Sequence, residues 1–573
     1  MSAIQTIELI SLNESFGPSV PIQPNDAHHP PRTTDAINPT TSNDAQTLAE
    51  TPDQARVFRA IEPVITSPVS QTARFAIISL LVTANLVQFV SNFITLSGGL
   101  TLSKLLGRNV ESGQANWMAA SYSLTQGAFV LVSGRLGTIY GHQRLALIGL
   151  FLFATFSLAN GFCKSFEAFI AIRALSGVGG GIFMPNAVTV LALMVPPGRA
   201  RNVLLGLFAA SPPAGGVIGA LFAGLCANTG EFWAWTVLFG CIAAVSAICL
   251  LLLFIIMPNE RPIDKDGKID FVGAFLGLSS LILYNIAWNQ APSVGWATPY
   301  EIAILILSVS LFASFLLWER FVASDPIMPL AIFKAPTFLA IIVVVLFSYM
   351  AFGIALWYAI SWQQVLRHMS VFQIGVNFIP FGIGALAAVG LAAYLLPRVA
   401  ARWVMAIGVG VVLAASLLLA TMPISQSYWP QTFPAMILCG FCPDFVYLAA
   451  QVIASNSVGR KYQGVASSLV GTLNLYGVSL GLGFAGTIET EVTKSSRGLG
   501  HSGKGEEVAA GFRAALYFSA ALAAVGLILN FAFVRLPKAE REGWNEEPEQ
   551  VDEVVVTDSQ VLRRVGRVSS GRP

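Results

Sequence analysis

Fourteen stretches of this chain stay apolar for long enough to cross the hydrocarbon core of a bilayer, which takes about 20 helical residues. They lie near 74–97, 116–134, 144–162, 167–191, 202–227, 233–257, 271–289, 300–318, 337–361, 374–396, 402–422, 432–455, 464–488 and 512–534. Backbone N–H and C=O groups in lipid have no water to bond, so segments of this length must satisfy them internally as α-helices. A membrane barrel would show short alternating strands instead. Only 11% of the 573 residues are charged, against roughly 25% in a soluble domain, so lipid is the solvent for most of the chain. The expected fold class is all-α integral membrane, with 14 transmembrane helices.

The polar remainder sits at the ends and in the loops. Residues 1–72, rich in Pro, Ser, Thr and Asn, lack lasting apolar periodicity and read as a disordered tail. Residues 537–573, an acidic run followed by Arg563, Arg564 and Arg567, read as another. Counting segments from the N-terminus, the loops after even-numbered segments hold thirteen Lys and Arg, and those after odd-numbered segments hold seven. The positive-inside rule therefore places the even loops and both tails in the cytoplasm. All six cysteines fall in or beside apolar stretches and read as packing, Cys439 and Cys442 included, despite their redox-motif spacing.

Two charges break the apolar pattern: Asp444 at the midpoint of segment 12, and Arg173 in segment 4. An ionisable group at bilayer depth costs about 2.5–3.5 kcal/mol on insertion scales and commonly marks a pathway, a proton relay or a counter-ion. Gly440, Asp444, Tyr447 and Gln451 recur at i, i+4, i+7 and i+11, one helical face. The acid is expected to look into a polar stripe, with Pro443 loosening the helix beside a cavity. A carboxyl group that alternates between neutral and charged is a proton carrier. A guanidinium, charged at every relevant pH, would sense a neighbour's protonation or hold an anionic group. The competing readings are that Asp444 is paired and only holds helices together, and that Arg173, nearer the outer end of its segment, snorkels to the interface.

Neutral polar residues repeat the arrangement. Asn85, Gln88 and Asn92 follow i, i+3, i+7 on segment 1, while Gln126, Asn186, Asn474 and the aromatic Trp357, Tyr358 and Trp362 sit in or beside other spans. With Tyr447 and Gln451 they are candidates to line a substrate cavity of mixed character, or to bond helix to helix.

Several stretches carry a resemblance. Gly134-Arg-Leu-Gly-Thr-Ile-Tyr-Gly141-His-Gln-Arg144 resembles motif A of the major facilitator superfamily, Gly-x-Leu-x-Asp-Arg-x-Gly-Arg-Lys. Arg173-Ala-Leu-Ser-Gly177-Val-Gly179 is similar to motif B, and Gly206 through Ser211, Pro212, Gly215, Gly216 and Gly219 is similar to motif C, the antiporter signature. The neighbourhood of Asp444, the stretch from Trp288 to Trp296 and that from Gly481 to Glu489 resemble the fungal fourteen-span drug:proton antiporters of the aminotriazole-resistance and boron-efflux type. The resemblance covers about 73–535 and implies the major facilitator fold in a 6 + 2 + 6 arrangement. Six-helix bundles would occupy 73–258 and 336–536, and an extra pair with cytoplasmic linkers 259–335. It also implies a motif A gate at Gly134, Arg135, Gly141 and Arg144, and a motif C helix break at Pro212, Gly215, Gly216 and Gly219. Thr138 stands where the motif A acid belongs, so the charge relay of that gate is expected to lack its carboxylate.

Chemistry of other classes is missing. Gly498-Leu-Gly-His-Ser-Gly503-Lys504 opens like a nucleotide loop, but Gly505 replaces the magnesium-binding Ser or Thr and no strand precedes it. The five histidines lie in tails or loops, and no nucleophile elbow or basic-aromatic interleaving occurs. No cofactor, metal or nucleic acid is expected. The chain reads as a transporter and not an enzyme: proton-coupled efflux of a small toxic molecule or drug by alternating access, with Asp444 and Arg173 as the coupling residues. Its expected partners are the small-molecule substrate, protons and the lipid bilayer; it is read as a monomer of the plasma membrane, with the vacuolar membrane as the alternative. The rival readings are a facilitator or importer of a small solute such as ammonium, and a non-transporting membrane sensor.

Overall fold

The structure, a computed structural model, describes residues 70–108, 112–195, 199–258, 260–264, 267–335, 337–458, 462–498 and 504–535. The expected tail over 1–72 lies outside these residues except for its last three, which cap and open the first helix. The tail over 537–573 lies outside them entirely.

The apolar segments form helices α1 (Gln71–Leu105), α2 (Trp117–Tyr140), α3 (His142–Asn160), α4 (Phe166–Met194), α5 (Arg199–Thr229), α6 (Phe232–Ile256) and α7 (Phe271–Val294). They continue with α8 (Pro299–Phe321), α9 (Phe338–Ser361), α10 (Val371–Leu395, interrupted at Phe378), α11 (Ala401–Ala420), α12 (Thr432–Ser457), α13 (Gln463–Gly498) and α14 (Lys504–Phe533). Among the described residues, thirteen are long and apolar enough to cross a membrane. The other is α2, whose buried Ser121, Ser123, Thr125 and Gln126 dilute its apolarity because it packs inside the bundle rather than against lipid. Odd-numbered helices leave the face at which α1 begins and even-numbered ones return to it; this is called the terminal face below.

Helix ends are marked by side-chain caps. Ser70, Ser165, Asp270 and Ser370 each accept from the backbone N–H three residues on, satisfying donors that a helix start leaves open. Gly141, at φ 99°, turns the chain between α2 and α3 in a conformation that only glycine adopts freely.

Helices α1–α6 pack chiefly among themselves, as do α9–α14. The two halves meet where α2 lies along α13 and where α5 lies along α10. The pair α7–α8 sits outside them and is fastened to α13. Asn289 donates to the Ser479 carbonyl at 3.2 Å, Ser479 donates to Asn285 Oδ1 at 2.8 Å, Tyr476 donates to the Leu281 carbonyl at 2.9 Å, and Trp288 stacks on Phe484 at 3.7 Å. Toward α2, among the described residues, the pair makes one such bond, Trp117 to Gln290 at 3.1 Å. Large apolar side chains facing outward, such as Phe254 and Phe275, are what a lipid-embedded surface presents.

Candidate functional site

Between the halves lies a cavity of about 360 Å³. Its walls come from both halves: Asn85, Asn92 and Phe93 on α1, Phe208, Pro212 and Pro213 on α5, Tyr349 and Phe352 on α9, Asp444, Tyr447 and Gln451 on α12, and Ser467 and Asn474 on α13. Met184 and Val188 near the end of α4, Leu205 near the start of α5, and Gln451 and Ser467 carry the lining toward the terminal face. In the other direction four aromatic rings close it. Phe93 meets Phe378 and Phe381 at 5.8 and 6.0 Å between centroids, Phe352 meets Phe381 at 6.2 Å, and Phe378 meets Phe381 at 5.2 Å.

Among the described residues, Asp444 is the one charged residue in the lining. It is 9% exposed, and its Oδ2 has no hydrogen-bond partner. Buried polar atoms are nearly always bonded, so an open carboxylate oxygen in a cavity wall is a place for a ligand, a water or a proton. Asn85 Oδ1 and Asn92 Oδ1 are likewise buried without partners on the facing helix α1. Pro443, next to the acid, has no N–H for the Cys439 carbonyl. Its own carbonyl accepts from the Tyr349 hydroxyl at 2.7 Å, tying α9 to α12 beside the carboxylate. Gln451 and Ser467 exchange bonds at 2.6 and 3.2 Å, closing α12 on α13.

The residues proposed from sequence divide. Asn85, Asn92, Asp444, Tyr447, Gln451, Asn474 and Pro212 lie in the lining, whereas Gln88, Gln126, Asn186, Trp357, Arg173 and Gly440 do not. Gln88 was expected on the same face as Asn85 and Asn92, but its 100° steps along the helix carry it toward α2, where Tyr122 donates to Oε1 at 3.3 Å. Asn186 binds His142 Nδ1 at 2.8 Å and the Ile182 carbonyl at 2.7 Å, joining α3 to α4. Gln126 and Trp357 are buried away from the cavity, and Gly440 packs against α10.

Arg173 does not snorkel. It is fully buried and aimed at α1, where it donates to Ser91 Oγ (2.7 Å), the Ser91 carbonyl (2.8 Å) and Thr95 Oγ1 (3.1 Å). Its guanidinium carbon lies 4.7 Å from the centroid of the Tyr122 ring. The charge is balanced by oxygen lone pairs and a π face, and it is not paired with Asp444.

The motif C prolines do not break α5, which is helical from Arg199 to Thr229. Pro212 removes the donor for the Phe208 carbonyl, and Ser211 Oγ takes its place at 2.7 Å. The same repair occurs in α4: Pro185 leaves the Gly181 carbonyl open, and Ser133 of α2 donates to it at 2.9 Å. Gly215 and Gly219 form the seam with α1; a β-carbon on Gly215 would lie 2.7 Å from the Leu86 carbonyl. Gly216 faces the Phe93 ring.

At motif A the absent acid is replaced from a distance. Arg135 pairs with Asp264 at 3.0 Å, and the Asp264 N–H donates to the Thr138 carbonyl at 3.0 Å. Glu260 accepts from the Gln143 N–H at 2.8 Å. Both carboxylates come from the linker between α6 and α7, so the turn at Gly141 is braced by acids that the motif itself lacks. Gly134 approaches Ser468 on α13, and Arg144 is exposed.

Asp444 is not the only buried acid, as the segment ends had suggested. Glu489, on α13, accepts from the Tyr358 hydroxyl at 2.8 Å, and Glu301 and Glu319 are buried on α8. Glu489 falls one residue past the expected end of segment 13 because α13 runs on to Gly498. Tyr349 was also missed; the cue was its place four and seven residues before Gly353 and Leu356, which line the cavity with it.

Comparison with known proteins adds the following. The profile described as Major Facilitator Superfamily matches residues 75–482 and, in a second alignment, 341–568. The low affinity ammonium transporter of Saccharomyces cerevisiae is 32% identical over 428 residues, covering 73% of this chain and 80% of that protein. The efflux pump terJ of Aspergillus terreus is 32% identical over 438 residues, covering 75% and 81%. In backbone shape the chain is similar to a bacterial homologue of the human lysosomal transporter Spinster in an inward-facing, unoccupied crystal structure. The TM-score is 0.56 at 15% identity, over 82% of this chain and 100% of that one.

Proposed function

This chain belongs to the major facilitator superfamily, and on that footing we propose that the membrane transporter it forms exports a small molecule in exchange for a proton, with Asp444 as the shared binding site. One observation carries this reading: among the described residues, the only charge in the cavity wall is a carboxylate with an open oxygen. A carboxylate can hold a proton or a cationic group, but not both, so loading one releases the other. Aromatic walls from Phe208, Phe352 and Phe381 suit an apolar body, and the absence of any basic residue from the lining disfavours anions. The substrate class is therefore a cationic amphipathic small molecule. The name of the relative terJ supports export.

Magnitudes constrain the coupling. Neutralising one intramembrane carboxylate is worth about 2.5–3.5 kcal/mol on insertion scales, whereas turning a 1:99 mixture of inward- and outward-facing states into 99:1 takes about 5.5 kcal/mol. Protonation alone does not complete the switch. Because proton and substrate exclude each other at Asp444, the remainder must come from contacts outside the carboxylate that differ between the two states, and each ligand shifts the equilibrium only by its own differential affinity. The positive-inside excess on the even loops supports a cytoplasmic terminal face and cytoplasmic tails; the plasma membrane is the proposed site of residence, with the vacuolar membrane as the alternative. Import of a small cation such as ammonium is the second reading; the name of the yeast relative supports ammonium as a substrate.

Reconstituted vesicles test both. Under an imposed pH gradient, Asp444→Asn should abolish driven flux and, because the same carboxylate holds the cationic group of the substrate, weaken counterflow of labelled against unlabelled substrate as well. Unchanged gradient-driven flux in the variant would sink the exchange assignment. Wild-type flux that ignores the gradient would favour the import reading.

A further inference from the structure

We propose that the flank of α8 holds an anionic phospholipid of the leaflet at the terminal face. The assignment rests on the cytoplasmic orientation proposed for the terminal face and not on proton exchange. A groove of about 660 Å³ runs along this helix, lined by Phe312, Leu316 and Phe321 of α8 and by Met328, Leu330 and Phe333 of the segment that follows it. Its one ionisable lining residue is Arg320, at the end where α8 reaches the terminal face. The guanidinium is exposed, lies 5.1 Å from the Phe321 ring, and has no carboxylate partner among the described residues.

The groove is built in advance. Glu319, buried beside Arg320, turns inward and accepts from the backbone N–H groups of Ile327 and Met328 at 3.2 and 3.3 Å. This folds residues 327–333 back against α8 as the second wall. Ile332 is the buried anchor of that wall, and Asp270, which caps α7, accepts from Trp318 Nε1 at 2.9 Å, fixing the helix from behind.

The dimensions select a lipid over a free anion. From Phe312 to Arg320 is eight residues, or about 12 Å of helix, close to the roughly 15 Å hydrocarbon depth of one leaflet. A headgroup phosphate at Arg320 would therefore lay its acyl chain along the groove as far as Phe312. α8 is also the span most open to lipid, with 17% of its most apolar window buried. Basic side chains at the cytoplasmic surface attract anionic lipids.

The test uses the full-length protein in nanodiscs of phosphatidylcholine, with or without phosphatidylserine, and counts the lipids it keeps on release by native mass spectrometry. Wild type should keep a phosphatidylserine that Arg320→Gln loses. Leu316→Trp, which fills the groove and leaves the charge, should lose it too. Arg398→Gln should keep it, since Arg398 is likewise exposed and stacked on Tyr394, at 3.8 Å, but is not among the residues that line this groove. Retention in both groove variants would overturn the proposal. So would equal loss in Arg398→Gln, equal retention of phosphatidylcholine, or displacement of the lipid by inorganic phosphate.

Discussion

Asn85 of α1 donates to the Ser211 hydroxyl of α5 at 2.7 Å, and that hydroxyl donates onward to the Phe208 carbonyl at 2.7 Å. Because Pro212 is what leaves this carbonyl open, the cavity wall on α1 and the backbone of α5 share one hydrogen-bond chain. A change in what Asn85 binds reaches the α5 backbone without an intervening loop.

Ser211→Ala should therefore lower stability by about 1–3 kcal/mol, the cost of leaving buried polar groups unsatisfied, and Ser211→Thr should restore most of it. Thermal unfolding of the purified protein reads both. An alanine variant melting with wild type would mean that water or another group already serves the carbonyl.

The Tyr122 ring lies under the Arg173 guanidinium, and its hydroxyl bonds Gln88. Tyr122→Phe removes a neutral bond and should cost about 1 kcal/mol. Tyr122→Leu also removes the π face from a desolvated cation and should cost about 2 kcal/mol more. Equal melting shifts for the two variants would exclude the ring as a partner of the charge.

Arg135 and Asp264 are partly exposed, with side chains 31% and 40% accessible, so their pair contributes little to stability, below about 1 kcal/mol. Its expected role is positional. Arg135→Asp and Asp264→Arg should each slow transport with melting almost unchanged, and the double swap should recover the rate. Recovery failing while both singles are slow would place each residue with a different partner.

Phe93 makes two of the ring contacts that close the cavity, each worth about 0.5–1.5 kcal/mol. Phe93→Ala should raise exposure of the cavity to the non-terminal side by about tenfold or more. The readout is the rate at which a membrane-impermeant maleimide on that side labels Asn474→Cys, with the exposed Cys241 replaced by serine. An unaltered rate would put the seal elsewhere.

The span architecture was legible because twenty consecutive apolar residues admit one backbone solution in lipid. Asp444 was legible because a carboxylate at bilayer depth costs more than helix packing returns, unless it faces a cavity or a partner. Side-chain aim was less legible. The i, i+3, i+7 spacing of Asn85, Gln88 and Asn92 describes an arc wide enough to face two neighbours, and only the packed position of α2 sends Gln88 away. Hydropathy ended segment 13 at 488, but α13 continues as a polar helix, which hid Glu489. The brace at Thr138 was invisible because Asp264 reaches it through tertiary structure, from a linker with no periodic signal.

The fastening of α7 to α13 by Asn289, Ser479, Tyr476 and Trp288, against a single bond to α2, makes the two halves unequal swimmers. One carries an outrigger of two helices through the membrane and the other does not, so any rocking sweeps more lipid on one flank. Lateral pressure and bilayer thickness then act as a load on that rocking, applied through helices that contribute no residue to the lining of the central cavity.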